Sequence, residues 1–154
     1  MSEVPVLGIE ARLLTFEVGG GVYALPIGCV VEVCEAEAWA CVPMLPRDTA
    51  GVMNHHGDAV PVLRRSALLG IPHAEQVEPT QVLVISPRPT GGARLGLPVD
   101  RIVGLVEGVG AASRGASPVA ERRNIDGRVV SILDPGRLVS RAREAIEHSL
   151  ERNG

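Results

Sequence analysis

The chain has 154 residues, 45% of them hydrophobic and 21% charged, with a formal net charge of −3. That length makes one domain, or two very small ones sharing a core, and the composition is that of a globular protein rather than a disordered one. The acidic balance excludes a phosphate-backbone binder, and an aromatic content of 2% (Phe16, Tyr23 and Trp39) excludes a base-stacking platform for single-stranded nucleic acid.

The opening MSEVPVLGIEAR has neither a basic n-region nor a continuous apolar run. No segment approaches the ~18 apolar residues that span a bilayer. A cytoplasmic protein without membrane insertion is expected. RLLTFEV (12–18) alternates Leu14, Phe16 and Val18 on one face, then Gly19-Gly20-Gly21 leads into VYALP, which together predict a hairpin. At LPI the proline stops the ladder, and a short helical turn is expected before the next strand. Cys29, Cys34 and Cys41 are odd in number, match no zinc-knuckle spacing and read as reduced thiols. GVMNHHGDAVPVL (51–63) is a glycine turn running into a strand. A polar connector, HAEQVEPT, precedes a second hairpin from QVLVIS through PRPTGG to ARLGLPV. GVGAASRGASP (108–118) is a flexible loop. Asp134-Pro135 reads as an N-cap and N1 proline opening a helix over 135–152, with Leu138, Ala142, Ile146 and Leu150 on one stripe. That stripe either packs on the strands or is offered to a partner, and packing is the expectation.

The chain repeats itself. LPIGCVVEVCE (25–35) returns as LPVDRIVGLVE (97–107), 72 residues on, and NHHGDAVPVL (54–63) returns as NIDGRVVSIL (124–133), 70 residues on. Two matches in one order at nearly one offset predict two equivalent halves, about 12–75 and 80–134, interleaved in one domain over 12–142. Short strands at regular spacing between turn signals indicate small barrels. The predicted fold is mostly β: two small five-stranded β-barrels with a C-terminal α-helix.

No residue set announces catalysis. His55 and His56 would point to opposite faces of a strand, and no H-x3-H spacing or carboxylate pair nearby completes a metal site. The other half has Ile125 and Asp126 there, while Asn and Gly, which tolerate left-handed backbone, are kept in both. The glycine is therefore read as the essential residue, with no metal, cofactor or catalytic group expected. Gly19–Gly21 lacks the Lys-Ser/Thr of a phosphate loop, and GASP (115–118) is not a nucleophile elbow. Arg64-Arg65 and Arg122-Arg123 are cations that could meet acidic partners. An enzyme would need a groove site joining His56 to Cys34 or Glu32, signalled by a stoichiometric metal or a hyper-reactive thiol. A doubled β protein without such chemistry is best read as a protein-binding module, docking in the groove between its halves.

Four phrases in order, LLTFEVGGGVYALPIGCVVEV, PRDTAGVMN followed by GDAVPVL, VLVIS with LGLPVDRIVGLVE, and IDGRVVSILDPGRL, give a chain that resembles the CheW-like coupling proteins of bacterial chemotaxis. The resemblance covers residues 12–142. It implies a non-enzymatic adaptor that joins the cytoplasmic tips of methyl-accepting chemoreceptors to the regulatory domain of a CheA-type histidine kinase. It also implies receptor contact at Val30, Glu32, Val33, Asn54, His56 and Gly57, and kinase contact at Trp39, Val42, Gly51 and Val52. The chain departs from the family in carrying His55-His56 where the turn usually reads Leu-Arg, and Arg64-Arg65-Ser66 where Asp-Leu-Arg usually follows the strand. An accessory member that binds only one of the two partners is the alternative reading.

Overall fold

The computed structural model describes residues 12–36, 39–40 and 49–153. Among the described residues eleven strands run in chain order: β1 (Arg12–Val18), β2 (Gly21–Pro26), β3 (Val30–Glu35), β4 (Trp39–Ala40), β5 (Thr49–His55), β6 (Asp58–Leu63), β7 (Gln81–Ile85), β8 (Leu95–Val99), β9 (Arg101–Glu107), β10 (Val119–Ile125) and β11 (Arg128–Leu133). A short helix α1 (Arg65–Leu69) follows β6, and α2 (Pro135–Asn153) ends the chain. The turn expected after the first LP phrase is a 3-10 turn at Ile27–Cys29. After the second, Asp100 alone separates β8 from β9.

The strands form two curled sheets, one of five strands in the order β10-β11-β2-β1-β9 and one of six in the order β3-β7-β8-β6-β5-β4, the sixth being the two-residue β4. The halves trade hairpins. β1–β2 of the first half lies in the sheet of β9–β11, and β7–β8 of the second lies in the sheet of β3–β6. Each exchanged hairpin is seated by a parallel pairing, β2 with β11 and β8 with β6.

Each sheet curls far enough for distant strands to meet. Four ladder steps separate β3 from β5, about 19 Å in a flat sheet, yet Glu32 Oε1 of β3 lies 2.9 Å from His55 Nε2 of β5. The other sheet closes in the same way. Four steps separate β9 from β10, and Arg123 of β10 donates to the carbonyl of Val109, just beyond β9, at 3.0 Å.

Period-two alternation sorts the core into three compartments. Val22, Ala24, Val130 and Ile132 join Leu13 inside the five-stranded sheet, and Met53, Val60, Val62, Val82 and Val84 fill the six-stranded one. The opposite faces of the same strands supply Leu14, Phe16, Leu25, Leu63, Leu83, Ile85, Leu97 and Leu133 to a larger core between the sheets. Hence β7 and β8 read as nearly continuous apolar runs, since both faces are buried. A barrel of about five strands has room inside mainly for Val and Ala, while the shared core takes the Leu and Phe. At Gly96 of β8 even a Cβ would lie 3.1 Å from Val62 and 3.2 Å from Val82, so glycine lets the exchanged hairpin approach β6.

Helix α2 covers the shared core. Leu138, Val139 and Ala142 are buried, and Ala145 and Ile146 pack partly against them, so the stripe packs as expected as far as Ile146. Its start is fixed by Asp134, whose Oδ1 accepts the N–H groups of Gly136 (2.9 Å) and Arg137 (3.4 Å), while Oδ2 accepts from the backbone and hydroxyl of Ser113. Asp134→Ala removes a cap and the tether of the 108–118 loop together. It is expected to cost about 1–2 kcal/mol, read as a lower urea midpoint with an unchanged m-value.

Candidate functional site

Both N-x-x-G phrases form the same two-residue hairpin turn. His56 (φ 53°) and Gly57 (φ 91°) link β5 to β6, and Asp126 (φ 52°) and Gly127 (φ 83°) link β10 to β11. Positive φ at both central positions is the type I′ geometry whose twist suits hairpins. The role expected of asparagine is corrected here. Asn54 and Asn124 do not adopt left-handed backbone; their Oδ1 atoms accept the N–H of Gly57 (2.8 Å) and Gly127 (3.1 Å). The residue that does take the strained backbone is His56.

That strain decides where the imidazoles go. The turn folds His56 back beside His55, with ring centroids 4.4 Å apart and edge to face. The two rings do not point to opposite faces as a continuous strand would require. His55 is 9% exposed and its Nε2 makes no hydrogen bond. Glu32, half exposed on β3, brings its carboxylate to 2.9 Å from that nitrogen. Donor atoms of Glu32, His55 and His56 all lie within 4.8 Å of one another. The carboxylate that the sequence did not show beside the histidines is supplied by sheet closure.

Around this cluster β3 is exposed at Val31, Glu32, Val33 and Glu35. Val31 and Val33 show 42% and 41% of their surface, and Cys34 is half-buried beside Glu32, its thiol pushed up by burial and by the Glu32 charge. The equivalent strand β9 exposes Val103 and Leu105, the partners of Val31 and Val33 in the repeat. A ladder irregularity falls at the same place in both strands, between Val30 and Glu32 and between Ile102 and Gly104. Edge strands with a bulge and exposed apolar side chains recur at one structural position in each half.

Among the residues expected to meet a receptor, Glu32, Val33, Asn54, His56 and Gly57 are exposed, and Glu32 and His56 are brought together. Val30 is half-buried against the shared core. Of those expected to meet a kinase, Gly51 is buried and pairs with Val62, Val52 is half-buried, and Trp39 pairs with Met53 through the backbone of β4. Val42 lies outside the described residues. His55 was missed by the sequence reading of the site.

Arg65 has a different role from the one its sequence suggested. It is fully buried, donating to the Asp100 carboxylate and, at 2.6 Å, to the Val77 carbonyl. Asp100 also accepts the N–H of Gly19 at 2.8 Å. Arg65 therefore ties α1 to the β8–β9 corner and is no cation for an acidic partner.

A family model described as the CheW-like domain matches residues 12–143. The chain belongs to the CheW-like family. A search of curated proteins returns no match. The scaffolding protein TtCheW from Thermoanaerobacter tengcongensis has a similar structure, with a TM-score of 0.67 at 18% identity, covering 84% of this chain and 92% of that one. CheW-like proteins are non-enzymatic scaffolds of chemotaxis-type signalling that work through protein partners. Among the described residues no helix is long and apolar enough to cross a membrane.

Proposed function

We propose that this CheW-like chain couples the cytoplasmic tips of chemoreceptors to the regulatory domain of a CheA-type histidine kinase. The observation that carries the reading is the edge strand β3, which exposes Val31 and Val33 and holds Glu32, between them in sequence, beside the His56 ring. An apolar stripe flanked by polar groups, on a strand that stays folded without it, suits a protein partner. Receptor contact is assigned to Glu32, Val33, Asn54, His56 and Gly57. Val30 supports them from the core side. Kinase contact is assigned to Trp39, Gly51 and Val52 on the paired strands β4 and β5, and to Val42.

A second reading, an accessory protein that binds one partner only, draws on the same site. The family's turn usually carries arginine, a fixed planar cation, where this chain has His56. Arg64, which stands where the family usually has Asp, is exposed, so that charge reversal lies on the surface and also favours this reading, whereas Arg65 is buried. Calorimetric titration against a receptor-tip fragment and, separately, the kinase regulatory domain decides between them. Coupling is expected to give micromolar binding to both, about −8 kcal/mol each. Binding to one alone supports the accessory reading, and binding to neither removes both.

A further inference from the structure

We propose that Glu32, His55 and His56 form a binding site for one transition-metal dication of the zinc class. The argument starts from the contact between His55 and Glu32. A carboxylate oxygen and an imidazole nitrogen at 2.9 Å repel through their lone pairs unless a cation is shared between them. A proton on Nε2 would serve if the atoms lay along a hydrogen bond, but Nε2, in a side chain about nine-tenths buried, makes none. A metal ion beside the pair satisfies both atoms without that alignment. It would also use the third donor, the His56 ring, which a shared proton would leave idle.

The spacing suits such an ion. Zinc takes imidazole nitrogen and carboxylate oxygen at about 2.0–2.2 Å, which sets tetrahedral ligands about 3.3–3.5 Å apart. Here the donor atoms lie within 4.8 Å of one another, and two of the three side chains, Glu32 and His56, are exposed and free to make the remaining adjustment. The buried third, His55, is the fixed point. Two nitrogens and one oxygen favour zinc, nickel or copper over magnesium or calcium. Three protein ligands leave a fourth position for water or a partner's side chain. The ion would join β3 to the β5–β6 turn, across the seam where the curled sheet has no ladder.

The repeat gives a built-in comparison. The positions of Glu32, His55 and His56 are taken in the second half by Gly104, Ile125 and Asp126, so one half alone has the donor set on the same backbone. The site does not depend on the partners proposed above, and its test needs none of them.

The full chain, stripped with a chelator and dialysed, would be titrated with zinc chloride by calorimetry and checked for bound metal by elemental analysis. One ion per chain is expected, at micromolar affinity or tighter and undisturbed by millimolar magnesium. His56→Asn keeps a residue suited to positive φ and removes one donor, and Glu32→Gln removes another. Each is expected to weaken binding at least tenfold with an unchanged thermal midpoint in the metal-free state. His73→Asn should leave binding intact. A cobalt-loaded sample should lack the thiolate charge-transfer band, which places the ion on nitrogen and oxygen rather than on a cysteine. Sub-stoichiometric binding, a thiolate band, or wild-type affinity in both ligand variants would overturn the proposal.

Discussion

Asp100→Ala is expected to lower the stability of the protein by about 3 kcal/mol, because it takes from the buried Arg65 guanidinium the nearer and less exposed of its two carboxylates. Arg65 has no exposed surface, and its other contacts are the Val77 carbonyl and, at 3.7 Å, the Glu75 carboxylate at the edge of the site. The substitution also frees the Gly19 N–H at the β1–β2 turn. Three segments would loosen together: the exchanged hairpin β1–β2, the helix α1 and the β8–β9 corner. Urea unfolding followed by circular dichroism would show this as a lower midpoint. Arg65→Met should cost less than Asp100→Ala, since it removes the buried charge along with its partner's contact and leaves the carboxylate, 12% exposed, some access to water. If Asp100→Ala shifted the midpoint by less than the equivalent of about 1 kcal/mol, the pair would not be the lock described here.

The second large effect concerns binding. Val33→Asp is expected to weaken the complex with a receptor-tip fragment by about 2 kcal/mol, roughly thirty-fold in Kd. The side chain is 41% exposed on an edge strand and outside the three core compartments, so the folded state should barely respond. A new carboxylate beside Glu32 would add like charge where an apolar contact is proposed. The repeat supplies the control, because Leu105 occupies the matching position on β9 with 51% of its surface exposed. Leu105→Asp makes the same chemical change on the other sheet and is expected to leave receptor affinity within about two-fold. Equal losses from both variants would show that the effect is one of charge in general and not of contact at β3.

Much of the architecture could be read directly. Alternating apolar residues, glycine turns and an Asp-Pro helix start are local signals, each set by the sterics of a few consecutive residues. The hairpin at 12–26, the glycine turn and strand at 51–63, the capped terminal helix and the doubling of the chain all follow from them. Even the departures were visible in the repeat. Glu32 and His55 stand where the other half has Gly104 and Ile125, so two positions change from apolar to ionisable together. Arg65 and Asp100 behave alike against Pro135 and Gly28. Paired departures of this kind are a sequence signal for contact, though they do not say which pairs meet.

That second part was decided by tertiary structure alone. The sequence by itself determined a mostly β, doubled chain, because periodicity and turn chemistry are properties of neighbouring residues, and its four ordered phrases carried the resemblance to the CheW-like family. It did not determine which hairpins the interleaved halves exchange, since an apolar strand buried on both faces pairs equally well with either sheet until the shared core is assembled. Nor did it place Arg65 inside, as burial of a guanidinium depends on a carboxylate 35 residues away arriving at the same point. The histidines show the same limit most plainly. Extended backbone would have parted His55 and His56, but a type I′ turn brought them together and the curl of the sheet carried Glu32 across four ladder steps to meet them. Curl is a cumulative property of many strands, and no short stretch of sequence contains it.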